Sequence, residues 1–499
     1  MPPNIALAFV RVCRSQIMSA AFPYAQAVGL PVVLSEVGDR FCAMPIQTQI
    51  YAYQRASAFS SDVGLQLSTS GAVTPAGRTG EVRFFDGFLQ YPQAAAAALL
   101  AVADVAAADY YRPRPGLMDP VVTGHGDRLR FESFSACGGV YARLDVLPDG
   151  LDGDTGYGTT NVDVNLPLRD ALSRVRTGEP LHLRVGPDDL AVRILDSAVP
   201  IVERRVALPD RWVRGFGEVQ VISGGFDERV RVPAVAGVRF LRSLPCGRSG
   251  PALWVVAAGG SPRLTLRPVP GAVCLPGAER LGALARVLRF ATALTLYGPP
   301  VADGQPQPSA WQVELPGMRL VLVLSPSASR GFSGEGAILH GLLGAGQERD
   351  AEAVADCLAW QARIDTWELA QRCELSEERA RAALAGLAAA GRIGYDLAEA
   401  EYFHRELPFD SETVERFNPR LRGARALVAE GAVRLDGWSD KEGTAVVGEG
   451  RQRVRRSAAG WACTCEWWAR YQGRRGPCKH VLAVQLVVRD QSKGSGERI

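Results

Sequence analysis

Three cysteines and one histidine near the C-terminus carry the clearest chemistry in the chain. Cys463 and Cys465 stand two apart in Trp461-Ala462-Cys463-Thr464-Cys465, and Cys478-Lys479-His480 follows after twelve intervening residues. Side chains alternate along an extended segment, so both sulfurs of a Cys-x-Cys pair face the same way. The second pair opens an apolar run, Val481 to Val488, which reads as a helix with Cys478 and His480 on its first turn. Three thiolates and one imidazole complete the tetrahedron of a zinc ion, leaving no position for water. The expectation is one structural Zn2+ held by Cys463, Cys465, Cys478 and His480.

The elements that must position these ligands form a short ββα pattern. Ala445-Val446-Val447 and Arg451 to Arg456 read as strands joined at Gly448-Glu449-Gly450, Trp461 to Cys465 as a further strand, and the apolar run as the helix. Along the second strand Arg451, Arg453 and Arg455 share a face. The spacer between the ligand pairs adds Trp467, Trp468, Arg470, Tyr471, Arg474 and Arg475, and Lys479 lies between the last two ligands. Residues 451–480 carry a net charge of +7 in a chain whose total is only +3. Arginines interleaved with aromatic rings neutralise phosphates and stack on bases, and the same residue types dominate protein interfaces. Arg451, Arg453, Arg455, Trp468, Arg470, Tyr471, Arg474, Arg475 and Lys479 are therefore the candidate surface for nucleic acid, DNA or RNA, or for a protein partner. Trp461 reads instead as a cover for the small core.

The pattern Cys-x-Cys, spacer, Cys-x-His, flanked by Trp461, Tyr471-Gln472-Gly473 and Gly476-Pro477, resembles the SWIM zinc finger. Three upstream strings, Asp119-Pro120-Val121-Val122, Gly158-Thr159-Thr160-Asn161-Val162-Asp163 and Leu208-Pro209-Asp210-Arg211-Trp212-Val213-Arg214-Gly215-Phe216, resemble a family of long bacterial SWIM proteins without an established activity. Some of those proteins are encoded beside a MoxR-type AAA+ ATPase and a von Willebrand A protein. The resemblance implies such partners and supplies no chemistry for the upstream region.

Before the finger the composition changes twice. Residues 20–345 mix short β-branched runs with helical stretches and read as one large mixed α/β region of unassigned role. Strands are expected at Leu181 to Val185, Val219 to Ile222, Leu253 to Ala257, Trp311 to Leu315 and Leu320 to Leu324, and helices at Tyr91 to Tyr110 and Leu281 to Leu296. The first helix should stop at Arg112-Pro113-Arg114-Pro115-Gly116. Residues 350–408 turn to Ala, Glu and Arg. Glu352 to Gln361, a helix capped by Thr366, a helix capped by Ser376 and stopped by Gly391, and a wing from Arg392 to His404 together resemble a winged helix-turn-helix. Glu377 and Glu378 at the start of its third helix suit the helix dipole better than a DNA phosphate. Residues 409–442 read as a linker with one amphipathic helix, and 443–490 as the finger. The fold class is α+β and multidomain.

Other motifs are weaker. Asp149 to Gly156 lacks the third ligand and closing Glu of a calcium loop, Gly331 to Gly336 lacks the Lys of a phosphate loop, and His125-Gly126-Asp127 reads as a surface turn. Cys137 reads as a small buried thiol. Seven cysteines outside the finger follow no disulfide rhythm, which points to reduced thiols and a cytoplasmic protein. The N-terminus, whether Met1 or Met18 is the start, lacks a signal-peptide pattern, and no apolar run reaches the ~18 residues of a membrane span. No nucleophile and base occur in a recognisable arrangement. The expected function is thus non-enzymatic: a zinc protein that binds nucleic acid or a protein within a larger assembly. The alternatives are a DNA-binding transcription regulator, an enzyme with its site hidden in 20–345, and a scaffold for the ATPase and von Willebrand A proteins.

Overall fold

The computed structural model describes residues 83–111, 120–187, 189–194, 200–204, 210–245, 252–301, 304–328, 332, 345–358, 360–389, 391–405, 419–439, 442–448, 451–473 and 476–494, and the backbone of five short strands between residues 50 and 78. The expected helix stop at 112–116, the Gly331–Gly336 string and the arginines at 474 and 475 lie outside the described residues, as do residues 411–418 of the expected linker helix.

Phe85–Leu89 (β1) leads into an alanine-rich helix, Pro92–Ala107 (α1), with proline in the first turn where its missing N–H removes no helical bond. A meander follows: Val121–His125 (β2), Leu129–Phe134 (β3) and Val140–Val146 (β4). Leu151–Thr155 (β5) and Tyr157–Asn161 (β6) come next. The short helix Leu166–Arg174 (α2) then precedes Leu181–Val185 (β7), Asp189–Ile194 (β8) and Ile201–Arg204 (β9). The second half holds Asp210–Ser223 (α3), Asp227–Pro233 (β10), Ala234–Arg242 (α4), Leu253–Ala258 (β11), Ser261–Thr265 (β12) and Val273–Leu275 (β13). It closes with Ala293–Gly298 (β14), Ser309–Leu315 (β15) and Met318–Leu324 (β16). All pairings are antiparallel, in the orders β5-β1-β7-β8-β9, β6-β2-β3-β4-β16-β15-β14-β10 and β12-β11-β13.

The expected strands at 181–185, 253–257, 311–315 and 320–324 are present. Two expectations fail. Val219 to Ile222 belongs to helix α3, because Trp212, Phe216 and Val219 recur at helical spacing and all three are fully buried. Leu281 to Leu296 is not one helix. It forms 3₁₀ turns at Ala278–Arg286 and Leu288–Phe290, and its end is taken by β14, whose pairing with β10 and β15 outweighs local helix preference.

The eight-stranded sheet has two unlike faces. On one, Leu129, Phe131, Ala142, Leu144, Leu320 and Leu322 pack with α1 in the main apolar core. On the other, the register sets Arg130, Asp145 and Arg319 in one cross-strand row and Glu132 and Arg143 in the next. A charged row of this kind normally faces water. Here it is buried.

The cover is the segment that begins with Ala345–Cys357 (α5), Thr366–Arg372 (α6) and Glu377–Ala389 (α7) and ends in the hairpin Ile393–Asp396 (β17) and Glu401–His404 (β18). Its cap residue differs from expectation: Asp365, not Thr366, accepts the N–H groups of Trp367 and Glu368, at 2.8 and 3.0 Å. Ser376 caps α7 as expected, and Gly391, at φ 75°, ends the turn that follows. Helix α7 packs between α5 and α3.

Asp396 reaches into the charged face, where Arg130 Nη1, Arg143 Nη2 and Arg319 Nη2 donate to it at 2.9, 3.0 and 3.0 Å. Burial alone would raise the Asp396 pKa, but Arg143, Arg130 and Arg319 together hold it far below the carboxylate range. Arg405 pairs with Glu132, Arg128 with Glu399, and the Arg130 guanidinium lies 4.0 Å from the Phe403 ring centre. His125 is part of this interface and not a surface turn. Its Nε2 donates to the His404 carbonyl at 2.6 Å, and burial, followed by Arg130, lowers its pKa well below the usual value, leaving a neutral ring.

Candidate metal centre and finger surface

The finger body consists of Pro419–Ala429 (α8), the sheet Val433–Asp436 (β19), Gly443–Val447 (β20), Gln452–Ser457 (β21) and Gly460–Cys463 (β22), then Glu466–Tyr471 (α9) and Lys479–Gly494 (α10). The strands are in sequence order and antiparallel. The inward side chains Ala445, Val447 and Val454 join Leu421 and Ala424 of α8 and Val481, Leu482, Ala483 and Val484 of α10 in one core, to which Cys463, Cys465 and Cys478 also belong. Helix α8 and strand β19, sequence neighbours of the expected finger, are thus part of the same packed unit.

Cys463 ends β22, Cys465 is the N-cap of α9, and Cys478 immediately precedes α10, with His480 in that helix's first turn. Their ligand atoms all lie within 4.8 Å of one another, and Cys463 Sγ is 3.8 Å from His480 Nδ1. Zinc bonds of about 2.3 Å to sulfur and 2.0 Å to nitrogen imply tetrahedral edges of this order. The residues therefore fit one structural zinc with a closed Cys3His donor set. Two sulfurs also accept backbone N–H groups at helix starts, Cys465 from Trp468 at 3.4 Å and Cys478 from Val481 at 3.5 Å. Such bonds orient the ligands and stabilise thiolate charge. Hydrogen bonding from Cys463 is the main reason that the Cys478 thiol is pushed down to about 4, whereas the same contact and burial push Cys463 up. Metal binding at such a cluster requires the thiolate forms and releases the remaining thiol protons.

Arg453 and Arg455 are exposed on the outer face of β21, opposite Val454 and the core, and Arg451 is exposed at the turn before that strand. Sequence reading missed Arg434. It is exposed on β19 and faces Val446, which in turn faces Arg453, so the three form a cross-strand row. Its strand is short and carries no ligand, and only the register joins it to this surface.

The aromatic candidates behave differently. Trp468 and Trp467 are half-buried and pack on the finger core, as does Trp461, whose ring is 5.7 Å from that of Trp438. The Tyr471 ring lies 4.5 Å from that of Trp467 and is tilted to it by 55°, Arg470 is exposed beside Tyr471, and Arg420 lies over Trp467 while donating to the Pro477 carbonyl at 2.8 Å. Gln472 ends α9 at φ 47°, and Gly473 follows at φ 76°, where a Cβ would lie 3.1 Å from the Trp468 ring. Lys479 is exposed on the helical side. Its stem packs on α8, 3.2 Å from the point where a side chain on Gly423 would begin.

Elsewhere, Asp152 and Asp154 are exposed on edge strand β5. The finger's is the one cluster of three or more potential metal-binding side chains among the described residues. Among those residues no helix is long and apolar enough to cross a membrane.

These features define a zinc-stapled α/β module attached to a larger mixed α/β body. Residues 446–487 match the family model of the SWIM zinc finger, and that segment is a SWIM zinc finger. No curated protein matches the chain. Two solved structures show distant likeness over 49% of this chain and 99% of theirs. One is proliferating cellular nuclear antigen from Entamoeba histolytica (9% identity, TM-score 0.33) and the other the PCNA2-PCNA3 complex from Sulfolobus tokodaii (12% identity, TM-score 0.35).

Proposed function

We propose that the chain is a non-enzymatic adaptor whose SWIM finger binds the phosphate backbone of nucleic acid through the outer face of its sheet. The observation that carries this reading is the placement of Arg453 and Arg455 on the exposed face of β21, with Arg451 beside them and Arg434 across the sheet. Arginines on a sheet neutralise phosphates without reading base edges, so binding should be salt-dependent and tolerant of sequence. The zinc, on the opposite side of the sheet, keeps this face in shape and takes no part in binding.

The regulator reading, with the helix–hairpin segment as a winged helix, has less support. Its third helix is packed between α5 and α3, its hairpin is buried against the large sheet, and Glu377 and Glu378 remain at its exposed end. A protein partner is the second reading, favoured by Trp367 on α6, which is 60% exposed.

Fluorescence polarisation with single-stranded DNA, duplex DNA and RNA tests the proposal. Arg453→Glu with Arg455→Glu should weaken binding by about tenfold or more and reduce its salt dependence. Equal binding by wild type and the double variant, with the zinc content unchanged, would remove the sheet face from the function.

A further inference from the structure

Cys357 closes α5 and Cys373 is the C-cap of α6, so two thiols stand at the ends of neighbouring helices in the segment that covers the large sheet. Two contacts fasten these ends together. Arg372 Nη2 donates to the Cys357 carbonyl at 2.7 Å, and Cys373 Sγ lies 3.8 Å from the carbonyl oxygen of Ala353. Ala353 is one turn before Cys357, and an α-helix joins that carbonyl to the Cys357 N–H. The Cys373 sulfur is therefore set against the last turn of α5, within hydrogen-bonding reach of the Cys357 thiol.

This pair differs from the other thiols among the described residues. The three finger cysteines and Cys274 are buried, and Cys137 faces Ser135 Oγ at 3.4 Å. Cys357 and Cys373 are half-buried. Leu358 and Leu375 beside them pack on the apolar core of the cover, while Asp356, Arg372 and Glu374 on their other flanks are exposed. Small solutes thus reach both sulfurs from solvent.

The two thiols are also unequal. Burial, followed by the hydrogen bond toward Cys357, pushes the Cys373 thiol up to about 12. Cys373 keeps its proton and offers it to the Cys357 sulfur, and a hydrogen bond received by a sulfur favours its thiolate. Cys357 is then the sulfur that attacks, and Cys373 the one that resolves.

We propose that Cys357 and Cys373 form a reversible oxidation site, a dithiol that peroxides convert to a disulfide between the ends of α5 and α6. The Cys357 thiolate attacks the terminal oxygen of a peroxide, ROOH. An S–O bond forms as the O–O bond breaks, giving the sulfenic acid of Cys357 and an alkoxide that takes a proton from water. The Cys373 sulfur then attacks the Cys357 sulfur. The S–O bond breaks, and hydroxide leaves with the Cys373 proton as water. Each sulfur is oxidised by one electron and the peroxide is reduced by two. A dithiol reductant reverses the bond by exchange. In the oxidised form α6, with its exposed Trp367, is tied covalently to α5.

The test is titration of the full-length, zinc-loaded protein with hydrogen peroxide, followed by non-reducing peptide mapping in a mass spectrometer. A Cys357–Cys373 linked peptide, lighter by two hydrogen atoms than its reduced halves, is expected before the finger releases zinc, and dithiothreitol should remove it. In Cys373→Ser the disulfide cannot form, so the sulfenic acid of Cys357 should accumulate and its labelling by dimedone should rise severalfold over wild type. Should that variant fail to fold, the wild-type map decides alone. Absence of the linked peptide at peroxide levels that already release zinc, linkage of Cys357 to a different cysteine, or equal dimedone labelling of Cys357 in wild type and Cys373→Ser overturns the proposal.

Discussion

The finger and the helix–hairpin segment each secure a small piece of chain against a β-sheet by opposite means. In the finger, four ligands drawn from residues 463–480 converge on a single point, and an ion from outside the chain supplies the attraction. At the hairpin, Asp396 meets Arg130 and Arg143, which lie 266 and 253 residues earlier, and every charge comes from the chain itself. Metal ligation contributes folding free energy outright. A buried ion network largely offsets the desolvation of its own members and is unforgiving when one is removed. The first arrangement depends on what the cell supplies, the second on the completeness of the set.

Removing the metal is the strongest way to separate the two. Chelation, or Cys478→Ala, should remove apparent folding free energy of ~10–16 kcal/mol from the finger. It should unfold residues 419–494 while leaving the large sheet intact. Metal analysis of native protein should give one zinc per chain, and hydrogen exchange should show the loss confined to the finger. Unchanged protection there would mean that the core of α8, α10 and the sheet suffices alone.

Asp396→Ala attacks the other region. Leaving Arg130, Arg143 and Arg319 buried without this carboxylate should cost ~3–5 kcal/mol in denaturant melts, without loss of zinc. Because the folded-state pKa of Asp396 is depressed, its contribution is fully present above the unfolded value of about 4. It is lost as pH falls below that value. A docking stability that already declines between pH 7 and pH 5 in the wild type, and no longer does so in Asp396→Ala, would contradict the depressed pKa of Asp396. The smallest expected effect is local: Asp365→Ala removes the α6 cap and should cost about 1 kcal/mol. Measured beside Asp396→Ala, it separates the stability of the helices from that of their docking.

What could be read from the sequence follows the same division. The ligands were legible because they are close together and chemically unambiguous, and the exposed arginines of β21 because alternation alone places them. The burial of Arg130, Glu132, Arg143 and Arg319 was not legible. Their alternation with Leu129, Phe131, Leu144 and Leu320 is the pattern of a sheet with one wet face, and nothing local announces a second layer. His125 was misplaced for the same reason, since its partner His404 lies 279 residues away. Arg434 escaped because its role depends on register across β20. The stretch at Val219 suggested a strand because Val219, Val221 and Ile222 are β-branched, and its helical character shows only together with Trp212 and Phe216 upstream.

The charged face also bears on how the chain is made. During synthesis β2, β3, β4 and β16 are complete well before residues 393–405 leave the ribosome, so the sheet must wait for its cover. An apolar waiting face would invite association with other chains. Rows of arginine and carboxylate are well hydrated while exposed and are desolvated only when the matching hairpin arrives, so the groups that make the finished interface costly keep the unfinished one from sticking to its neighbours.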